Sequence, residues 1–359
     1  MNFNKKVIDA HTHSEKWVPK ADENFIENLF VSKDKYQEKC GLEAFNICCY
    51  SFTEDNVATN IIAALYKLHN PTTYAHAGLV YPALPAVLPL PDGMDALTQY
   101  NELMEIGFDG IKMLETKTFE HKELNLPVNH EFFADFFKAA EKDGTHFVWH
   151  VADPEEFWDI EKVPSWAIER GWYYGDGTYA SNVDIYKQVF DVLEKCPNLN
   201  VSFAHFFFMA EYPEVTEKIF EKYKNVKYDI TPGSEMFRGF QKRRDYYYNF
   251  FIKYADRILY GTDNIFPEDS LEWMESHAEN IYSVIATDKE VDIYGVKCKG
   301  FELPEDVCNK IFYENFKKYC SPKPKAINKS ALKKYINKYA HLIENKIIRE
   351  NILEYSNKI

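Results

Sequence analysis

Histidine and carboxylate side chains recur at a spacing of two near the start of the chain. Asp9, His11 and His13 occupy alternate positions, and alternate residues of a β-strand point to the same face. We therefore expect all three side chains to face the interior of the fold. Two neutral imidazoles are costly to bury without partners, whereas one divalent metal ion satisfies a nitrogen of each. The spacing indicates a metal site, although a lone HxH pair also occurs by chance.

Three further candidates end β-type runs later in the chain. His150 closes HFVWHV, His205 lies at the end of LNVSFAHF, and Asp263 ends RILYGTD. Residues at the carboxyl ends of parallel strands converge at one face of a barrel, so these side chains would meet His11 and His13. The other histidines are interpreted as ordinary surface or core residues: His69, His76, His121, His130, His146, His277 and His341.

The elements that must position these residues follow a repeating pattern. Short β-branched and aromatic runs alternate with longer amphipathic segments, which is typical of βα units. Eight such runs occur, at 6–13, 44–50, 73–80, 110–114, 146–151, 199–206, 226–231 and 257–263. A doubly wound sheet would alternate in the same way, but no GxGxxG or Walker-type glycine loop follows any run. We predict an α/β fold, a (β/α)8 TIM barrel of the usual size of about 250 residues or slightly more.

Two domains are expected, a barrel over residues 1–320 and a helical C-terminal extension over 321–359. The extension carries nine Lys and Arg against three Glu, a net charge of +6, within a chain whose total charge is −14. The remaining residues therefore carry −20 (−14 minus +6). This contrast favours either a solvated helical appendage or a contact with an acidic neighbouring subunit, so we expect a homo-oligomer with the basic extension as one candidate interface. The acidic total disfavours nucleic acid as a partner.

The composition also indicates the cellular compartment in which the protein is expected. The chain has 46% hydrophobic residues, enough for a packed core, but no window reaches the ~18 consecutive apolar residues of a membrane span. Its seven cysteines show no CxxC spacing and indicate free thiols in a reducing environment. A cytoplasmic protein without a membrane partner, acting on a small molecule, is expected.

Two long segments follow predicted strands and would cover the same face of the barrel. They span 153–182, which is rich in tryptophan and tyrosine, and 233–251. Both are predicted as loops, because excess length at this face is often functional. We select Arg238 and Trp158 as substrate-binding candidates, one for an anion and one for a planar or apolar group.

The ordered motifs resemble the amidohydrolase superfamily, and within it the amidohydrolase-related branch that includes aminocarboxymuconate semialdehyde decarboxylase. The resemblance is carried by VIDAHTH, GIKML, the histidines closing runs five and six, YGTD, and KIFYENFKKY with its Asn315. It implies His11, His13, His150 and Asp263 as ligands of one divalent metal, most often zinc. It further implies His205 as a second ligand or an acid/base, and Asp263 as the group that accepts a proton from metal-bound water.

Lys112, in the GIKML motif, has two interpretations. In binuclear members of the superfamily, a lysine at this position is carboxylated and bridges two metals. Alternatively, Lys112 remains an ammonium and pairs with Glu115 or with a substrate carboxylate. One metal ion is favoured over two.

Three functions remain open. The first is a metal-dependent hydrolase that activates water for attack on an amide, lactone or related carbonyl, with Asp263, His205 and Lys112 as catalytic residues. The second keeps the same site but catalyses non-oxidative decarboxylation of an unsaturated or aromatic acid, with His205 as the proton donor. The third is a barrel that has lost catalysis and serves as a binding or assembly module.

Overall fold

Every predicted strand is present in the computed structural model, which describes residues 3, 5–14, 22–50, 54–266 and 269–359. Within these residues the barrel strands are β1 (Ile8–Ser14), β2 (Ala44–Cys48), β3 (Tyr74–Ala77), β4 (Gly110–Thr116), β5 (His146–Val151), β6 (Val201–Phe203), β7 (Val226–Asp229), β8 (Ile258–Leu259) and β9 (Asn264–Phe266). A hairpin follows, formed by β10 (Glu290–Ile293) and β11 (Val296–Lys299).

The strand predicted at 257–263 closes the barrel, and in the structure it consists of two short pieces between 258 and 266. The strands are parallel and lie in the order β8-β7-β6-β5-β4-β3-β2-β1-β9. β8 pairs with β7 and β9 pairs with β1, so β8 and β9 are two halves of one interrupted strand. Between them, the amide of Ala10 donates to the carbonyl of Tyr260 at 2.9 Å. The predicted TIM barrel is confirmed.

Helices cover the outside of the barrel, as the amphipathic segments predict. Their bounds are α1 (Phe25–Cys40), α2 (Glu54–His69), α3 (Ala96–Ile106), α4 (Thr118–Leu124), α5 (Ala134–Asp143), α6 (Ser165–Glu169), α7 (Asn182–Lys195), α8 (Pro213–Lys222), α9 (Ser234–Lys242), α10 (Arg244–Lys253), α11 (Leu271–Ala286), α12 (Glu305–Asn309), α13 (Asn315–Tyr319), α14 (Lys329–Tyr339) and α15 (Lys346–Asn357). No helix in the described part of the chain is long and apolar enough to cross a membrane.

The first strand contains an irregularity that decides which side chains face inward. Asp9 pairs with Phe45, but Thr12 pairs with Ile47, so three steps along β1 match two along β2. Such a bulge changes which residues share a face. Ile8 and Ala10 therefore pack inside the barrel, whereas Asp9 points outward and accepts a hydrogen bond from Tyr36 of α1 at 2.7 Å. The expectation that Asp9 faces the interior with His11 and His13 is wrong, because the bulge lies between them.

Segment 233–251 is helical, so its prediction as a loop is wrong. It forms α9 and the greater part of α10, whose buried residues include Met236, Phe237, Phe240 and Tyr247. Arg243 separates the two helices, and the charged run KRRD around it interrupts the apolar pattern. Segment 153–182 contains only short helical pieces before α7 begins at Asn182.

The C-terminal extension packs against its own barrel. Asn328 donates its amide to the carbonyl of Ile106 at the end of α3, and Lys338 of α14 pairs with Glu102 at 2.5 Å. Ile336 on α14 and Ile352 on α15 are fully buried. One side of each helix is thus buried within the chain, and assembly through the extension stays a prediction.

Replacing Ile352 by Ala should lower the free energy of unfolding by about 2–4 kcal/mol, because it leaves a cavity against the barrel helices. Ile347 lies on the same helix with 43% of its surface exposed, so Ile347→Ala is the matched control and should change stability by less than about 0.5 kcal/mol. Urea unfolding followed by circular dichroism measures both. Equal effects would show that α15 is not packed as described.

Candidate metal centre

Three predicted site residues meet where β1 passes the interruption between β8 and β9. His13 Nε2 lies 3.1 Å from His11 Nε2 and 3.0 Å from Asp263 Oδ1. The distance from His11 Nε2 to Asp263 Oδ1 is 3.7 Å. These three side chains form one of the groups of mutually close metal-ligating atoms in the described structure. The bulge in β1 and the left-handed backbone of Asp263, with φ of 64°, bring them to one point.

The opposite nitrogens of both imidazoles are held by acceptors. His13 Nδ1 lies 2.7 Å from the carbonyl oxygen of Cys48, and His11 Nδ1 lies 2.9 Å from Asp229 Oδ2. A carbonyl oxygen only accepts, so a neutral His13 carries its proton on Nδ1 and directs a lone pair from Nε2. Burial lowers the pKa of His11 well below its ordinary value, with the charge of Lys112 acting in the same direction. Neutral His11 likewise carries its proton on Nδ1, donates it in a hydrogen bond to Asp229, and directs a lone pair from Nε2.

Two nitrogen lone pairs and a carboxylate oxygen therefore face one another within 3.7 Å. Burial alone would raise the pKa of Asp263, but its close contact with His13 and the positive charge of Lys112 hold that pKa below its ordinary value. Such a set repels itself unless a cation lies between its members. Two imidazoles and a carboxylate are donors that divalent zinc and related ions accept, so the residues fit the metal implied by the family resemblance.

Lys112 faces inward and adjoins the same point. Its Nζ lies 2.8 Å from His11 Nε2, and the side chain is fully buried. Burial lowers its pKa, while the charges of Asp263 and Asp229 act in the opposite direction. Glu115, the alternative partner, accepts hydrogen bonds from Tyr81 at 2.9 Å and from the amide of Leu114 at 2.9 Å. The contact with His11 places Lys112 where it stabilises the site's negative charge; its carboxylation stays a prediction.

His150 and His205 lie beside the three donors rather than among them. The ring of His205 is 4.8 Å from that of His150 and 5.8 Å from that of His11, measured between centroids. His150 Nε2 lies 3.0 Å from the carbonyl oxygen of Ala152, and His205 Nδ1 lies 3.2 Å from that of Thr231. Burial lowers the pKa of His205 to about 3. The structure thus gathers three of the predicted ligands and sets the two other histidines at the edge of the site.

A strained turn positions His205. Residues 205–208 all have positive φ, between 51° and 59°, although none is glycine. Each such residue carries a conformational cost of about 1–3 kcal/mol, and strain of this kind is concentrated at functional sites. Asp229 stabilises the turn by accepting the amide of His205 at 2.8 Å. The turn stacks Phe208 on the His205 ring at 5.1 Å.

Arg238 and Trp158 lie in the covering segments. The Arg238 guanidinium, 45% exposed, pairs with Glu156 at 2.7 Å and Glu211 at 3.0 Å. The Trp158 indole donates to the carbonyl of Ala180 at 3.2 Å and packs within an aromatic cluster. These contacts assign both residues to the architecture of the covering segments, and their role in substrate binding stays a prediction.

Two charged residues beside these histidines, Asp229 and Lys117, were not selected from the sequence. Asp229 contacts both His11 and His205, and burial raises its pKa to about 7. Asp229 ends β7, and its place near the end of the run predicted at 226–231 was the available signal. Lys117 follows β4, pairs with Glu120 at 2.9 Å and lies over the Trp172 ring. Burial would lower the pKa of Lys117, but Glu120 and Asp153 raise it, so the chain keeps a cation there.

Known proteins resemble this chain at the level of family and fold. A model of the amidohydrolase family matches residues 8–317. The chain is similar in structure to 2,6-dihydroxybenzoate decarboxylase from Rhizobium, with 13% identity, a TM-score of 0.52, and coverage of 88% of this chain and 98% of that chain. It is also similar to a dihydroxybenzoic acid decarboxylase from Polaromonas with bound manganese, with 14% identity and a TM-score of 0.51, over 88% of this chain and 96% of that chain. A third similar structure is 4-oxalomesaconate hydratase from Rhodopseudomonas palustris, with 13% identity and a TM-score of 0.53, over 88% of this chain and 95% of that chain. No curated protein matches the chain.

Asp229→Asn should weaken Mn²⁺ binding by about 10–100-fold, because it removes the carboxylate that orients His11. Electron paramagnetic resonance of free Mn²⁺ during titration measures the affinity. Asp245→Asn, at an exposed position of α10, is the matched control and should bind as the unaltered protein does. Unchanged affinity in Asp229→Asn would contradict the supporting role of this residue.

Proposed function

Because the chain belongs to the amidohydrolase family, we propose that it is a metal-dependent hydrolase acting on a carbonyl-type centre of a small molecule, such as an amide or a lactone. The observation that carries the proposal is the meeting of His11, His13 and Asp263 with their donor atoms within 3.7 Å. That convergence also argues against a barrel that has lost catalysis. His11 Nε2, His13 Nε2 and Asp263 Oδ1 would hold one divalent ion, and zinc is the ion we propose.

When bound, the ion would supply polarisation of the substrate oxygen and acidification of water. Asp263, kept ionised, would accept the proton of the attacking water. His205 directs Nδ1 at the carbonyl of Thr231, so its neutral ring carries a proton there and a lone pair on Nε2. We therefore assign His205 to accepting a proton or a hydrogen bond near the reacting centre, which suits hydrolysis better than proton donation to carbon. Lys112 would stabilise negative charge beside His11.

The surroundings favour a planar substrate with an anionic group. Tyr50 stacks on the His13 ring at 4.4 Å, and Phe208 stacks on the His205 ring. Lys117 supplies a cation next to Trp172. Trp158 and Arg238 would contribute from farther out in the covering segments. Aromatic walls with one lysine suit a flat, unsaturated carboxylate.

Non-oxidative decarboxylation of an unsaturated or aromatic acid is the second candidate. It is favoured by the two dihydroxybenzoate-type decarboxylases among the similar structures. Such a reaction would use the same three donors, with Lys117 holding the carboxylate. It requires His205 or Asp263 to deliver a proton to carbon.

The cysteines support a cytoplasmic location. All seven are free thiols, and all but Cys320 are buried. Free thiols persist in reducing compartments. We propose the cytoplasm on this basis.

Protein loaded with Zn²⁺ or Mn²⁺ should hydrolyse members of a panel of lactones and amides, and should lose that activity on chelation and regain it on addition of metal. Coupled assays for acid and bicarbonate release, run on the same panel extended with unsaturated and aromatic acids, distinguish the candidates. Acid release without bicarbonate supports hydrolysis. Bicarbonate release from the acids would contradict hydrolysis and assign decarboxylation as the reaction.

His205→Gln should lower kcat by about 10²–10⁴-fold while metal content stays unchanged, because the residue acts beside the donors. Steady-state kinetics together with metal analysis measure the two quantities separately. His341→Gln, at an exposed position, is the matched control. Loss of the metal in His205→Gln would make this residue a ligand instead.

A further inference from the structure

A second group of metal-ligating side chains lies inside the barrel, apart from the site described above. It consists of His76 on β3, His146 on β5 and Cys320 just after α13, whose ligating atoms all lie within 4.8 Å of one another. His76 Nε2 and His146 Nδ1 are 2.9 Å apart, and both imidazoles are buried. Neither the proposed function nor the family resemblance involves these residues.

The group occupies a lower layer of the barrel. His76 is paired in register with Gly110, and Gly110 with His146, so the three positions are neighbours across β3, β4 and β5. Lys112 lies two residues farther along β4, about 7 Å nearer the carboxyl ends of the strands. Phe316 of α13 packs against both imidazole rings from the amino-terminal end.

The outer nitrogens of both rings are fixed by hydrogen bonds. His76 Nδ1 lies 2.7 Å from Asn46 Oδ1, and His146 Nε2 lies 2.7 Å from Ser202 Oγ. The Asn46 amide nitrogen donates to the carbonyl of Ala10 at 2.8 Å, which orients Oδ1 as the acceptor of the His76 proton. His76 Nε2 therefore directs a lone pair at His146 Nδ1. Metal-bound histidines are oriented by similar contacts at their second nitrogen.

Gly110 makes room for this pair. A Cβ at position 110 would overlap the His76 ring and the carbonyl oxygen of His146. TIM barrel interiors are usually filled with branched apolar side chains, which would bury no polar atoms. Here the layer instead contains two imidazoles, an amide and a hydroxyl, and a glycine admits them. Burial lowers the pKa of both histidines well below the ordinary value, so both rings are neutral and able to bind a metal.

We propose that His76 Nε2, His146 Nδ1 and Cys320 Sγ bind a second metal ion, of the Zn²⁺ class, at the amino-terminal end of the barrel. Two imidazoles and a thiolate form a softer donor set than that of His11, His13 and Asp263, and suit zinc over manganese or magnesium. The ion joins the chain after α13 to β3 and β5, and so fastens the start of the C-terminal extension to the barrel.

Binding requires a balanced transfer of protons. In the ion-free pair, His146 Nδ1–H donates to His76 Nε2. On binding, that proton moves to His146 Nε2, where Ser202 Oγ accepts it after its hydroxyl rotates. The Cys320 thiol, whose pKa is raised by burial and by Asp109, gives its proton to solvent as the sulfur binds the ion. One proton is thus released to solvent per ion bound at this site.

Cobalt provides a test specific to the thiolate. Full-length protein titrated with Co²⁺ should develop a thiolate-to-cobalt charge-transfer band, and metal analysis of the Zn²⁺-loaded protein should find one ion more than in Cys320→Ser. Cys320→Ser should lose the band and retain activity, whereas Cys298→Ser, the control at a cysteine of β11, should keep the band. His11→Ala should lose activity and keep the band, which separates this proposal from the proposed function. Absence of the band, or its persistence in Cys320→Ser, would overturn the proposal.

A second measurement uses the unaltered sequence and does not depend on how a variant folds. Cys320 is partly exposed as a residue, whereas the other cysteines are buried, so alkylation at raised pH followed by peptide mass spectrometry can follow its buried thiol. Zn²⁺ should slow modification of Cys320 at least tenfold, and titration in weak buffer should release one proton per ion at this site. An unchanged rate of modification would overturn the proposal.

Discussion

Two hydrogen bonds, from His11 Nδ1 to Asp229 and from His13 Nδ1 to the carbonyl of Cys48, determine the charge that the site requires. They fix the proton of each neutral ring on the side away from Asp263, so the facing nitrogens present lone pairs. A carboxylate held ionised at 3.0 Å adds to this concentration of negative potential. Lys112 balances part of it, and a divalent ion between the donors would balance the rest. The barrel thus prepares a place for positive charge before any substrate binds.

This arrangement depends on local departures from regular barrel geometry. The bulge in β1 turns His11 and His13 inward while leaving Asp9 among the outer helices, where Thr262 and Tyr36 hold it. A Cβ at Gly261 would overlap Thr231 and the His11 side chain, so the glycine allows the last strand to approach that ring. The four left-handed residues that begin at His205 add strain on the opposite side. Regular strands elsewhere in the closed sheet provide the rigidity that keeps these irregular segments in place.

The limits of sequence reasoning follow from the same features. Strand ends could be located from composition and alternation, and they led to His11, His13, His150, His205 and Asp263. A bulge changes the inward-facing residues without a distinctive residue type, so the direction of Asp9 was predicted wrongly. Segment 233–251 was misassigned because charged residues interrupt its apolar pattern between α9 and α10. Asp229 acts by accepting a hydrogen bond from Nδ1 of His11. This contact joins β7 to β1, which are far apart in sequence and come together only in the closed barrel.

The two histidine pairs of the barrel show how one fold can support different chemistry at two depths. In each pair, a hydrogen-bond partner fixes the outer nitrogen of each ring. These partners are Asp229 and Cys48 in the upper pair, and Asn46 and Ser202 in the lower pair. The upper pair is completed by a carboxylate at the face where substrates reach a TIM barrel, which suits exchangeable ligands and catalysis. The lower pair is completed by a thiol under Phe316, away from that face. Donor chemistry and depth together assign the upper position to reaction and the lower one to holding the C-terminal extension against the barrel.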